Sequence, residues 1–448
     1  MSLLNRVVSS AVCSMAAVLL PWGASAEDSL PGNGANPEAI EQVRAGTLTT
    51  ANASWWGFDE DDATQALQAA IDSGAGTVVV PYMGAPWIVT PITLRGNLTL
   101  RFEPGVVVLA KEGEFKGKGD SLFTAADATG IAIQGYGAAL RMRKQDYQTE
   151  AYEPAEWRMT LAFRGCRDIR VEGVRLESSG GDGIYLGATS ALPWCEDVVI
   201  RDVVCHDHHR QGISIIGAVN LLIENCIFSA TDGTAPRAGI DFEPNHEKEQ
   251  LANCVVRNCR MLDNAGAGIL VYLKPLSKQT RPVSILFEDC LVRGGRSGGI
   301  VVGAARDDGP EGLIEFRNCT VENPAEAGAY VYDKSAASVR VRFVNCHFKN
   351  LWTGGSEKDK RPRSPLLLNL ARPELTQGHG GIDFVQCHVY DDNDRPAFTV
   401  VEQKSGNGVS DIKGGIIVHS PHPARAELGE KTADCALTVV NAAMHERD

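Results

Sequence analysis

Short runs in which apolar and polar residues alternate recur through the middle of the chain, each bounded by turn residues. One pattern reads apolar, polar, Asn or Asp (once Gln), then Cys. Its copies are Ile223-Glu224-Asn225-Cys226, Val256-Arg257-Asn258-Cys259, Phe287-Glu288-Asp289-Cys290, Phe316-Arg317-Asn318-Cys319, Phe343-Val344-Asn345-Cys346 and Phe384-Val385-Gln386-Cys387. Ile200-Arg201-Asp202-Val203 and Val171-Glu172-Gly173-Val174 fit with Val in place of Cys. From Cys226 to Cys346 the repeat shortens through 33, 31, 29 and 27 residues. A polar, basic insertion at 354–380 lengthens the last gap. A second pattern, Gly-Ile-x-apolar, falls between these copies at Gly183, Gly212, Gly239, Gly268 and Gly299, with a looser copy at Gly328. Alternation of period two predicts strands. A unit of two or three strands every 20–35 residues cannot bury its apolar face alone, so the coils stack as a solenoid.

Stacking explains the residue types. Inward Ile, Val, Leu and Phe lie over the same position of the next coil, about 4.8 Å away. Asn and Asp tolerate the left-handed backbone of a sharp turn. The repeated Cys alternates with apolar residues, so it reads as a buried thiol ladder. Stacked parallel Cβ vectors suit a disulfide poorly, and no Cys-x-x-Cys pair suggests zinc. Upstream, Asp61-Asp62 and the face Ala66, Leu67, Ala70, Ile71 predict a helix over 63–73, stopped by Gly74 and covering the first coil. The coils are expected to start at Thr77–Val80.

The N-terminus reads as a cleavable secretion signal. Arg6 precedes the uncharged stretch Val7–Leu20, and Ala24-Ser25-Ala26 is a small-x-small cleavage site. The expected location is therefore secreted or periplasmic. Expected boundaries are a signal at 1–26, a linker at 27–54, the solenoid with its cap at 55–420 and a C-terminal cap or tail at 421–448. No segment reads as a membrane span. A net charge of −13 argues against nucleic acid as a partner.

The stretch from Phe58 to Gly74, followed by Gly76-Thr77-Val78-Val79-Val80-Pro81, resembles the opening of pectate-lyase-like β-helix proteins. These include polygalacturonases, other polysaccharide hydrolases, lyases, epimerases and phage tailspikes. The resemblance implies an all-β fold, a single-stranded right-handed parallel β-helix with an N-terminal capping helix. The polygalacturonase signature of Asn-Thr-Asp, Asp-Asp, His-Gly and Arg-x-Lys is missing. Catalytic residues therefore do not carry over, and the site has to be read from the repeat itself.

In each Gly-Ile-x-apolar strand the intervening residue points outward. One outward column reads Tyr185, Ser214, Asp241, Leu270, Val301, Tyr330; the next reads Gly187, Ile216, Glu243, Tyr272, Gly303, Tyr332. Asp241 and Glu243 thus share an exposed face, with Cα atoms about 6.6–6.8 Å apart. The carboxylate-x-carboxylate arrangement is similar to that of β-helical iota-carrageenases. Two neighbouring carboxyls split their pKa values into an acid and a base, and a pair across a glycosidic bond performs hydrolysis. Asp182 is a third candidate for catalysis or for placing water.

Arg210 and Arg237, each two residues before a Gly, are candidates to grip sulfate or uronate. Gln211 and His209 join them as substrate contacts. His206, Asp207, His208 and His209 crowd one turn, but no metal site is expected. Tyr185, Tyr272, Tyr330 and Tyr332 are candidate sugar platforms. Trp157 lies in the 141–158 segment, which interrupts the repeat and is expected to border the cleft.

The expected function is a glycoside hydrolase on a polysaccharide or oligosaccharide, acting as a monomer or small homo-oligomer and requiring no cofactor. A polysaccharide lyase or C5-epimerase, with Ca²⁺ as its cation, is one alternative. A non-catalytic glycan-binding or surface β-helix is the other.

Overall fold

The computed structural model describes residues 34–354, 361–371, 375–402 and 407–442. The secretion signal expected at 1–26 and parts of the 354–380 insertion lie outside them. Within them the chain winds as a parallel β-helix. A coil such as Ile184–Gly187, Cys195–Arg201, Val204–His206 has three strands, separated by turns. Each strand pairs in parallel with the equivalent strand one coil on: Ile184↔Ile213↔Ile240↔Ile269↔Ile300 runs up one wall without a slip. That wall has twelve strands, from Ile92–Thr93 to Ala426–Glu427.

The stack is longer than the 55–420 expected from the repeat. Thr50–Asn52 pairs with Thr77–Val79, so the first coil begins before Thr77, not with it. At the other end Ala436–Asn441 adds a strand over Lys413–Val418. The helix Thr64–Asp72 forms where the apolar spacing places it, with Ala66, Leu67, Ala70 and Ile71 buried. The Asp62 carboxylate accepts the Thr64 N–H at 3.0 Å and pairs with Lys111 at 2.6 Å. Gly74 follows at φ +90°. A second helix, Pro37–Arg44, lies before the first coil, within the stretch expected to be a linker.

The interior consists of ladders. Phe287, Phe316, Phe343 and Phe384 stack nearly coplanar, with ring centroids 4.9, 5.0 and 5.4 Å apart. Beside them run Cys226, Cys259, Cys290, Cys319, Cys346 and Cys387, all buried and all free thiols. Each follows a residue in left-handed conformation: Asn225, Asn258, Asp289, Asn318, Asn345 and Gln386 have φ of 50–56°. The turn amides bond each other coil to coil, as from Asn258 to Asn225 at 2.7 Å and Asn345 to Asn318 at 3.0 Å. Outside, Glu172, Arg201, Glu224, Arg257, Glu288 and Arg317 occupy one column in register, alternating in sign. Arg201 reaches Glu224 at 3.0 Å and Arg317 reaches Glu288 at 3.2 Å.

Two outcomes follow from this packing. In native protein a thiol reagent should label Cys435, the one half-exposed thiol among the described cysteines, and spare the ten buried ones until denaturant is added. Rapid native labelling of the ladder, or thiols still silent in denaturant, would contradict it. Asn258→Ala should cost about 1–2 kcal/mol, because alanine resists the left-handed turn. Asn258→Gly should cost less, because glycine adopts that turn freely. Denaturant midpoints measure both, and equal losses would show that the backbone conformation is not the cause.

Candidate functional site

The register places the outward column as the alternation predicts: Tyr185, Ser214, Asp241, Leu270, Val301 and Tyr330 lie over one another. Asp241, however, is not exposed. It points away from the solenoid core yet is fully buried, as are Asp182 and Gln211. The segment 141–158 folds against this part of the wall, and the cause is Arg158. Its fully buried guanidinium donates to the carbonyls of Phe115 at 2.9 Å and Glu153 at 3.0 Å, beside the Tyr147 and Tyr152 rings. Residue 158 then bridges to Gly180, and the Met159 sulfur accepts the Asp182 N–H at 3.0 Å. This fixes Glu156 over Arg210, its carboxylate 3.8 Å from Nε. Trp157, next to it, is exposed at the rim.

Arg210 is the hub. Its Nη2 pairs with Glu243 at 2.9 Å and its Nη1 faces Asp182 Oδ2 at 3.7 Å. Gln211 ties the two buried acids together. Its side chain donates to Asp241 Oδ2 at 2.6 Å and accepts the Ala238 N–H at 2.7 Å, while its own N–H donates to Asp182 Oδ1 at 3.1 Å. Gln211, expected to touch substrate, is thus enclosed and positions the acids. Three buried atoms in this cluster have no hydrogen-bond partner: Asp182 Oδ2, Asp241 Oδ1 and Arg210 Nε.

Four carboxyls against one guanidinium set the electrostatics. Burial, reinforced by the charge on Glu243, pushes Asp241 well above the ordinary carboxylate range, against the pull of Arg210. Burial also raises Asp182, to about 7, again opposed by Arg210. Asp241 and Glu243, two residues apart, both lie beside Arg210 and so on the same side of any bond they attack. Glu156 had no sequence signal, because it lies outside the repeat. It is the further carboxyl that the fold brings to Arg210 and leaves partly open to solvent.

The remaining candidates divide. Tyr185 lines a groove of about 1000 Å³, with Pro193 and Ile216 on one side and Asn245–Glu249 on the other. Ile216 is the coil equivalent of Glu243, so the groove opens beside the acid pair. Glu249 is nearly fully buried; it accepts the backbone N–H groups of Asn245 and His246 and so fixes the far wall. The Arg164 guanidinium lies 5.2 Å from the Tyr185 ring. Tyr272 is one coil past Glu243, paired with Gly303, and Tyr332 is beyond it.

Tyr330 stacks on Tyr332 at 5.5 Å, carries the Arg361 guanidinium over its ring and accepts a bond from Asn369 at 2.7 Å. Those ring faces are occupied, about 14 Å along the axis from Asp241 at three coil spacings. Arg237, at φ 58°, makes no ion pair with the acids, unlike its equivalent Arg210, and its Nε is buried without a partner. The histidines of the crowded turn diverge. His206 bonds Ser229, His208 bonds Ser179 and His209 bonds Thr234, at 3.0, 2.8 and 2.9 Å. Burial lowers His208 to about 3, so it stays neutral. His209 therefore belongs to the Thr234 turn rather than to the acid cluster.

Residues 157–348 match the family described as the right handed beta helix region, a span that contains all of the cluster except Glu156. The chain is a right-handed parallel β-helix. Solved structures agree on the fold. The Yersinia enterocolitica Family 28 exopolygalacturonase superposes with a TM-score of 0.55 at 13% identity, covering 87% of this chain and 78% of that one. The A-module of the Azotobacter vinelandii mannuronan C-5 epimerase AlgE6 gives 0.56 at 17%, covering 88% and 100%. The catalytic unit of an alpha-1,3-glucanase from Streptomyces thermodiastaticus strain HF3-3 gives 0.52 at 14%, covering 88% and 69%. Among curated sequences, the uncharacterized protein YclG of Bacillus subtilis (strain 168) is 26% identical over 251 residues. That match spans 49% of this β-helix and 42% of YclG. Among the described residues no helix is long and apolar enough to cross a membrane.

The raised Asp182 value has a direct consequence for stability. A carboxyl raised on folding contributes stability that is complete below its unfolded value of 3.8 and is lost as pH rises through about 7. Wild-type protein should therefore lose thermal stability across that window. Asp182→Asn, which removes the buried charge, should flatten the loss. Parallel pH profiles of Tm for the two proteins would contradict the assignment.

Proposed function

We propose that this protein is a secreted glycoside hydrolase acting on a polysaccharide. The observation that carries the proposal is the buried Asp241 with Glu243 beside it, one coil from a groove large enough for sugar rings. Burial and the nearby Glu243 charge make ionisation of Asp241 costly, so Asp241 retains its proton near neutral pH. Glu243 is the member that solvent and substrate reach, and Arg210 orients it. Asp241 behind it is the proton reservoir, held by Gln211.

In the proposed reaction the pair donates its proton to the glycosidic oxygen as the C1–O bond breaks. Water adds to C1, and its proton passes to Glu156 on the facing loop. Arg210, between the two carboxyls, limits their repulsion. Tyr185, which lines the groove, and the exposed Trp157, next to Glu156, are the aromatic surfaces for stacking sugar rings. The fold shared with polysaccharide-active enzymes is consistent with this reading. A lyase or epimerase reading needs an accessible base and a free cation. Here Arg210 is engaged by carboxylates, and His208 and His209 are enclosed by Ser179 and Thr234.

Reducing-end release from a panel of glycans tests the proposal. Glu243→Gln and Asp241→Asn should each lower kcat by about 100-fold or more, and Glu156→Gln by a similar factor, with smaller changes in KM. Unchanged release in the first two variants would overturn the hydrolase reading. An ultraviolet-absorbing unsaturated product would redirect it to a lyase.

A further inference from the structure

A second cluster lies on a different face, near the C-terminal end. His347, His388, Tyr390 and His419 project from three adjacent coils and are half-buried. His347 lies in register over His388, their rings parallel with centroids 4.9 Å apart. Tyr390 lies in register with His419, the rings 4.2 Å apart. Diagonally between the coils, His388 Nδ1 stands 3.0 Å from His419 Nε2. His347 Nδ1 instead meets the Tyr390 hydroxyl at 3.3 Å. The hydrolase proposal uses none of these residues.

We propose that His388 and His419 form a binding site for a divalent transition-metal ion that clips the last coils of the solenoid together. The separation of their nitrogens carries the inference. Metal–imidazole bonds are about 2.0–2.1 Å long, so two nitrogens on one ion stand about 2.9 Å apart at a right angle and about 3.4 Å apart at the tetrahedral angle. The observed 3.0 Å falls in that interval. The strands that carry the rings set it: His379–Tyr390 and Val409–His419 pair in parallel along this stretch. Binding displaces the proton held between the two ring nitrogens to solvent, and small ring rotations turn both lone pairs onto the ion.

Stacking restricts what joins them. His347 and Tyr390 lie flat against the two ligands and hold their planes, while Lys349, 5.4 Å over the Tyr390 ring, occupies one flank. No trio of His, Cys, Asp or Glu converges on one point among the described residues. Water therefore fills the other positions, and the site is labile rather than a closed structural centre. Two imidazoles with open positions favour Cu²⁺ over Zn²⁺ by the general affinity order.

The experiment uses tag-free full-length protein stripped with chelator and titrated calorimetrically with CuCl₂ and with ZnCl₂. Expected is saturable uptake of one Cu²⁺ per chain, tighter than Zn²⁺. His388→Gln and His419→Gln should each weaken it at least about tenfold, and His347→Gln by much less. Added metal should raise Tm in wild type but not in His388→Gln. Should the two variants misfold, the Cu²⁺ electron paramagnetic resonance spectrum of wild type decides, because two imidazole nitrogens must appear in it. No saturable binding, binding unchanged in both variants, or a spectrum without imidazole nitrogen overturns the proposal.

Discussion

Parallel pairing at a fixed spacing governs this molecule. Each residue sits about 4.8 Å from its equivalents in the coils above and below, so every choice at one position is tested against two copies of itself. Apolar residues answer by stacking, as the phenylalanines do. Asn answers in the turns by bonding the next amide. Charges must alternate in sign, as Glu172, Arg201, Glu224 and Arg257 do. A like-charged neighbour in such a column is costly, and that is what makes the outward acids notable.

At the acid cluster the same constraint concentrates charge instead of cancelling it. Asp182, Asp241, Glu243 and Glu156 surround one guanidinium. The solenoid supplies three of the acids, Asp182 from one coil and Asp241 with Glu243 from the second coil after it, and a loop pinned by Arg158 supplies the fourth. With too few cations and little water, the cluster balances itself by keeping protons. A structural cost of that kind is retained where proton transfer is useful. Gln211 makes the arrangement specific, because it offers one bond to each buried acid and leaves Asp241 Oδ1 unpartnered.

The repeat made the architecture legible, because periodicity is a one-dimensional signal and the solenoid is a one-dimensional fold. The outward column from Tyr185 to Tyr330 followed from alternation alone, and the pairing Tyr185↔Ser214↔Asp241 bears it out. Burial was not legible. Alternation says which way a side chain points relative to its own coil, not what folds over it. Asp241 and Gln211 were therefore expected at the surface and lie enclosed. Glu156 and Arg158 sit in a non-repeating segment, where one sequence offers no copy to compare. The equivalence of Arg210 and Arg237 was real in backbone position but did not extend to their partners, because only Arg210 has acids on both sides.

The central claim is that the Asp241–Glu243 pair holds a proton at neutral pH. Infrared difference spectroscopy of Asp182→Asn against the double variant Asp182→Asn/Asp241→Asn measures it directly. Because Asp182 titrates near 7 and gives a band of its own, the account predicts a protonated-carboxyl band near neutral pH that remains in Asp182→Asn and is lost in the double variant. An Asp182→Asn spectrum with only ionised carboxylates, or a band that survives in the double variant, would contradict it.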